Sequence, residues 1–231
     1  TLLEASNWRD YELLDSGDGL KMERFGKYIF SRPESQAMWS RALPASEWNN
    51  VHAVFQPSGE ESGGHWDFKK RVDEKWEMSY PLPQLNPIKF SAMTTPGRHL
   101  GVFPEVASHW DFLANAIHHR VHEEHGDKKA VNVLNLFGYT GLASLAAAAA
   151  GAQVTHVDAS KKSVTWAREN QNLSGLSEKP IRWVVEDAVK YVQREAKRGV
   201  KYDGIILDPP KFGRGPKGEI WEVYKSLPNL L

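Results

Sequence analysis

From residue 131 to residue 208 the chain repeats one pattern four times: a short apolar run, a polar group just past it, then a stretch of helical period. The runs cover 131–136, 153–157, 181–185 and 203–207, and valine and isoleucine are prominent in them. Runs this short, with little polar alternation, are what strands covered on both faces look like. The stretches between them predict helices at 142–150, 161–173 and 187–198. The first is rich in alanine and ended by Gly151, and the last is ended by Gly199, both suited to a left-handed cap. A further helix over 105–124 carries Val106, Trp110, Leu113, Ile117 and Val121 on one stripe. Strand and helix in regular alternation predict a parallel α/β sheet, which binds its ligands outside the carboxyl ends of the strands.

The first third of the chain has another texture. From Trp8 to about Tyr80 it is aromatic and broken by turn signals such as Asp15-Ser16-Gly17-Asp18-Gly19, Pro57-Ser58-Gly59 and Ser62-Gly63-Gly64. Short runs at 11–14, 27–30 and 52–55 read as strands of a small antiparallel unit. Trp8, Trp39, Trp48, Trp66 and Trp76 lie here; they suit the core of a small β unit, or else a platform on which nucleic-acid bases stack. The segment 81–87 holds three prolines and reads as a stiff linker. Two domains result: a β-rich appendage over 1–90 and a Rossmann-like sheet over 91–231.

Composition narrows this picture in two ways. No apolar run approaches the roughly 18–20 residues that span a bilayer, so no membrane partner is expected. The chain has no cysteine, which excludes disulfides and thiolate metal sites within it and suits a reducing cytoplasm. Net charge is zero, with 11 basic against 14 acidic residues in 1–95 and 18 against 15 in 96–231. So small an asymmetry does not by itself select a polyanionic partner. His118, His119, His122 and His125 sit among charged residues at the end of a predicted helix. They read as a wet helix terminus, and no metal site is expected.

The polar groups past each strand carry the chemistry. Gly138 and Gly141 bracket the turn after the first strand, where glycine lets backbone approach a ligand and a helix follows with free N–H groups. Asp158, 20 residues after Gly138, closes the second strand and is placed to accept both ribose hydroxyls of an adenosine ligand. NAD and S-adenosylmethionine both offer those hydroxyls, and a helix cap by Asp158 or Ser160 is the plain alternative. Asp187 closes the third strand and can accept from an adenine amino group while the Ala188 N–H faces a ring nitrogen; it too can serve as a helix cap. Asp208-Pro209-Pro210-Lys211-Phe212 closes the fourth. Its prolines cannot extend a ladder and fix φ near −65°, giving a rigid turn with outward carbonyls and one carboxylate. Such a loop can hold a planar amine or base edge, with Phe212 stacked on the base for about 1–3 kcal/mol. A mobile basic loop is expected over 211–218, whereas Lys190, Arg194, Lys197, Arg198 and Lys201 read as a solvated helix face. A dinucleotide oxidoreductase would share Gly138 and Asp158 but gives no reason for the two prolines, and its full glycine fingerprint is missing. A non-catalytic RNA-binding module on the same fold is the third reading.

These segments resemble a known family. Asn135-Leu136-Phe137-Gly138-Tyr139-Thr140-Gly141, Val157-Asp158-Ala159-Ser160, the stretch 167–176, Glu186-Asp187 and Asp208-Pro209-Pro210-Lys211-Phe212 are similar to class I methyltransferases of the large-subunit ribosomal RNA methyltransferase I type. The resemblance covers roughly 95–225. It implies a Rossmann-like methyltransferase sheet, S-adenosylmethionine as cofactor and RNA as acceptor. By position it assigns the cofactor to Asn135, Phe137, Gly138, Tyr139, Thr140, Gly141, Asp158, Ala159, Ser160, Asp187, Ala188 and Asp208. Phe103, in a segment that covers the methionine end in that family, joins them. Asp208, Pro209, Lys211 and Phe212 would face the target. Two departures stand out. Relatives carry an N-terminal RNA-binding module of PUA type, which 1–90 does not obviously match. Members that methylate carbon 5 of cytosine need a cysteine nucleophile, so either that residue lies in a segment absent here or the target is a nitrogen. Four parallel strands are part of the seven this fold carries, which predicts that the chain is a piece of a longer protein.

Overall fold

A computed structural model describes residues 4–5, 7–58, 63–123 and 130–231. The chain divides into two compact units, one of residues 5–80 and 91–105, the other of 1–4, 81–90 and 106–231. The segment 81–90 thus groups with the second unit, and 91–105 with the first.

The first unit is built on a five-stranded sheet of order β1-β2-β3-β4-β5. Its strands are β1 (Tyr11–Gly17), β2 (Leu20–Phe25), β3 (Tyr28–Pro33), β4 (Ala53–Pro57) and β5 (Gly64–Phe68), with the short helix α1 (Ala45–Asn49) between β3 and β4. All neighbours run antiparallel except β3 and β4. Strand β6 (Trp76–Tyr80) follows; β7 (Ile88–Ala92) then runs from the segment 81–90 into 91–105. The aromatic residues form the core. Phe30 stacks on Trp76 at 5.6 Å between ring centroids, and Tyr28 meets Trp76 edge-on. Trp8, Trp48 and Trp76 are buried and Trp66 is half-buried, as packing requires, but Trp39 is 58% exposed. Beside this core lies a buried ion pair in which Arg32 donates from Nε and Nη2 to Oε2 of Glu23.

The second unit carries the parallel sheet, of order β10-β9-β8-β11. In chain order it contains α2 (Ala107–Glu123), preceded by a 3-10 turn (Pro104–Val106), then β8 (Asn132–Leu136), α3 (Leu142–Ala149), β9 (Gln153–Asp158), α4 (Lys161–Leu173), β10 (Ile181–Val185), α5 (Ala188–Lys197) and β11 (Gly204–Leu207). A two-stranded hairpin follows, β12 (Phe212–Arg214) with β13 (Ile220–Glu222), then α6 (Val223–Ser226) and a 3-10 turn (Leu227–Asn229). The four strands and four helices read from the pattern are all present, with ends shifted by at most a few residues. The basic stretch 211–218 differs from expectation: it is largely a hairpin, tied by backbone pairs from Phe212 to Glu222 and from Arg214 to Ile220.

Alternation along each strand separates two faces. Leu134, Leu136 and Val157 join Ala188, Tyr191, Trp221 and Leu230 in one apolar cluster. Asn135 and His156, directly paired across β8 and β9, point the other way, beneath α3. That helix is lined by buried Leu142, Ser144, Leu145, Ala146, Ala147 and Ala148, and its small residues let it lie close to the sheet.

Candidate active site

The register of the sheet decides where the polar groups meet. Leu207 pairs with Leu136, Leu136 with Val157, and Val157 with Val184, so these four form one row near the carboxyl ends. One residue further out stand Asp208, Phe137, Asp158 and Val185. The strand order reverses on either side of β8: the chain goes from β8 to β9 and β10, then returns to β11 on the other flank. The turn after β8 and the Asp208 loop after β11 therefore flank a topological switch point, where open α/β sheets form their ligand crevice.

The turn 137–141 is held in an unusual conformation. Phe137 and Tyr139 have positive φ, 56° and 50°, and Gly141 has φ 85°. For a residue with a Cβ the left-handed region costs about 1–2 kcal/mol, and such strain persists where surroundings enforce it. Here they do. The Gly138 N–H donates to the Val157 carbonyl at 3.1 Å and the Gly141 N–H to the Gly138 carbonyl at 2.9 Å. Asn170 in α4 donates from Nδ2 to the carbonyl of buried Thr140 at 3.0 Å. Below the turn, Asn135 donates from Nδ2 to Ser144 Oγ at 2.9 Å, and Ser144 Oγ lies 3.0 Å from His156 Nδ1. Burial drives the His156 ring down to about 3, so it is neutral at physiological pH. Asn135, which the sequence assigned to the cofactor, thus has its amide engaged under the turn.

Asp158 is the anchor. Its Oδ2 accepts from the Tyr139 N–H at 2.9 Å and its Oδ1 from the Ser160 N–H at 2.8 Å. A carboxylate oxygen has acceptor capacity for more than one donor, so both remain able to accept from a ligand. Burial pushes this carboxyl above the ordinary aspartate value, against the pull of those two N–H groups. Burial and the nearby Asp158 charge also push the Tyr139 phenol up to about 12. The capping alternative for Asp158 is settled by geometry: Ser160 caps α4, its Oγ accepting from the Ser163 N–H. Asp187 does cap its helix. It is buried and accepts through Oδ1 from the Lys190 N–H at 2.9 Å, which leaves Oδ2 and the Ala188 N–H at the open end of α5.

Past β11, Asp208, Lys211 and Phe212 are exposed and Pro209 is half-buried. The Pro210 carbonyl accepts from Trp221 Nε1 at 2.8 Å, and the Lys211 carbonyl from the Val223 N–H at 3.0 Å. Of the residues that the sequence assigned to cofactor and target, all but Phe103 lie in this unit; Phe103 belongs to the other, where its ring packs 4.6 Å from His99. The roles of Trp221, Ser144, His156 and Asn170 were missed. For His156 the signal was there: a histidine inside an apolar strand, two residues before the key aspartate. The basic face of α5 is partly paired, Lys190 with Glu219, Arg194 with Glu186 and Arg198 with Glu195. Of the histidines near the end of α2, His125 lies outside the described residues, and so does the side chain of His122. Among those described, no group of three or more metal-ligating side chains comes together, and no helix is long and apolar enough to cross a membrane.

Comparison with known proteins agrees with this layout. A family model described as S-adenosylmethionine-dependent methyltransferase matches residues 109–231. The chain is 31% identical over 194 residues to ribosomal RNA large subunit methyltransferase K/L of Shewanella sp. (strain ANA-3), covering 82% of this chain and 25% of that protein. It is 39% identical over 84 residues to ribosomal RNA large subunit methyltransferase I of Aeromonas salmonicida (strain A449), covering 36% of this chain and 21% of that protein. The chain therefore spans a quarter or less of the length of these curated relatives. Among solved structures, the SAM-dependent methyltransferase from Agrobacterium tumefaciens superposes with a TM-score of 0.88 at 49% identity, covering 100% of this chain and 69% of that one.

Proposed function

The chain belongs to the S-adenosylmethionine-dependent methyltransferase family, and from that premise we propose that it transfers a methyl group from S-adenosylmethionine to a base of ribosomal RNA. The family makes the adenosine ligand S-adenosylmethionine rather than NAD. When bound, that cofactor supplies an electrophilic methyl group on a sulfonium. The residues fit it: Asp158 has two oxygens already oriented by backbone N–H groups and still able to accept from ribose hydroxyls. The strained turn of Phe137, Gly138, Tyr139, Thr140 and Gly141 forms the wall beside it, and Asn135 supports that turn from below. Ala159 and Ser160 continue the backbone past the ribose position. Asp187 and the Ala188 N–H suit the adenine edge.

The Asp208 loop takes the acceptor in this reading. Its prolines keep it rigid, so a base is held in one orientation for in-line attack, and alignment of that kind supplies much of such a rate enhancement. Phe212, half-exposed, offers a face for stacking, and Lys211 a charge for a phosphate. A nitrogen acceptor fits these groups: the bound cofactor would supply the methyl group and leave as the neutral thioether as its S–CH3 bond gives way, with no covalent adduct to the protein, while the exposed Asp208 carboxylate or water would take the proton from the nitrogen. An RNA acceptor comes from the relatives' names, which specify ribosomal RNA.

The observation that carries the reading is the row of Asp208, Phe137 and Asp158 across three strand ends, with Asp158 held by the turn itself. Incubation with tritiated-methyl S-adenosylmethionine and unmodified ribosomal RNA tests it. Label should enter RNA and be released by nuclease; label that enters only protein, or none with cofactor bound, contradicts it.

A further inference from the structure

We propose that Trp221 is a positioning residue for methyl transfer, tying the cofactor turn to the acceptor loop; this rests on the roles given above to those two segments. Trp221 lies in β13, outside every motif that the sequence offered, and it is buried. Its indole touches both segments at once. Nε1 donates to the Pro210 carbonyl at 2.8 Å. The ring lies 4.6 Å from that of Phe137, tilted by 53°, and Phe137 is the first left-handed residue of the turn.

The chemistry of the acceptor loop makes such a tie necessary. Pro209 and Pro210 have no N–H, so two successive residues of the loop cannot be fixed by donating to a neighbouring carbonyl. Their carbonyls are the groups left to hold, and a donor must come from outside the loop. The indole N–H, donor only and fixed on a packed ring, suits that task. The hairpin that carries it is pinned in turn: the Val223 N–H meets the Lys211 carbonyl, and Glu219 pairs with Lys190 of α5 at 2.5 Å. At the other end, a left-handed Phe137 relies on packing to stay there, and Trp221 supplies one side of that packing. Displacing a reacting group by about 1 Å can cost on the order of 100-fold in rate, so one residue that sets both segments controls their spacing.

Two variants of the full chain separate the two contacts. Trp221→Phe keeps a ring against Phe137 and removes the N–H. It should lower kcat for RNA methylation tenfold or more, with the affinity for S-adenosylhomocysteine within twofold of wild type. Trp221→Leu keeps apolar bulk without a ring and should weaken that affinity fivefold or more as well. Wild-type kcat in Trp221→Phe, or wild-type cofactor affinity in Trp221→Leu, overturns the proposal. So does a loss of kcat in both that matches only the loss of folded protein by circular dichroism. If wild-type protein labels no RNA, the acceptor reading fails instead, and the S-adenosylhomocysteine affinity of Trp221→Leu still decides the tie to the turn.

Discussion

A methyl group added at position 138 would stand 2.4 Å from Cε1 and 2.5 Å from Nδ1 of His156, with Asn135 Nδ2 at 3.1 Å. The imidazole is buried and bonded to Ser144, so it has nowhere to go. Gly138→Ala should therefore destabilise the chain by about 1–3 kcal/mol, the usual range for overpacking, and weaken cofactor binding by moving the turn. Urea denaturation and calorimetry read the two effects. Asp158 gives a pH dependence with opposite signs for affinity and stability. Its folded carboxyl is raised above the unfolded value by burial. Acidification therefore protonates it first in the folded chain, and its own contribution to stability rises as pH falls toward the ordinary aspartate range. With Asp158 in its proposed role, affinity for S-adenosylmethionine depends on the carboxylate and should fall over that same interval. Calorimetry across an acid titration checks this, and a flat profile contradicts it. At this scale the sequence was legible where a polar residue ends an apolar run, as at Asp158, Asp187 and Asp208. It was silent on Trp221, and it marked Asn170 only as part of the stretch 167–176 without its role; their partners lie 11 and 30 residues away and obey no local pattern.

Helix α3 shows how an element serves the site. Its N-terminus follows Gly141 directly, and its buried face is alanine and serine apart from Leu142 and Leu145. Leu145 is fully buried, and the small residues beside it in the helix cannot fill the hole it would leave. Leu145→Ala should cost about 2–5 kcal/mol, measured by thermal or denaturant unfolding; a cost below 1 kcal/mol would mean the helix is packed less tightly than described. The elements of the parallel sheet were legible because each signal agrees with the next: a buried strand, a polar end, a capped helix. Strands 181–185 and helix 161–173 fall where the pattern put them. The hairpin after residue 211 was not legible. Its strands have three residues each and its turn is Gly215-Pro216-Lys217-Gly218-Glu219, so hydrophobic period has no length over which to register. β2 escaped for another reason. It carries Lys21, Glu23 and Arg24, and Glu23 is buried only because Arg32 from β3 meets it, a pairing that cannot be read from one strand.

Across the whole chain, the division of labour follows the two units. The aromatic unit spends four of its five tryptophans on its own fabric: the Nε1 groups of Trp8, Trp48 and Trp66 each find an acceptor within that unit, and Trp76 stacks on Phe30. The fifth, Trp39, is exposed while its Nε1 donates to the Ser16 carbonyl. The platform reading of this region thus narrows to one residue. The parallel-sheet unit carries all three strand-end carboxylates, and its fold class followed from the alternation of short apolar runs with stretches of helical period. In the function proposed above, Asp158, oriented by the Tyr139 and Ser160 N–H groups, holds the cofactor ribose. Isothermal calorimetry of S-adenosylmethionine against wild type and Asp158→Ala tests that claim most directly. Wild type should bind in the micromolar range, with a constant on the order of 1 µM corresponding to about −8 kcal/mol, and the variant should lose tenfold or more, about 1.4 kcal/mol at least. Equal affinity in a folded Asp158→Ala protein would contradict it.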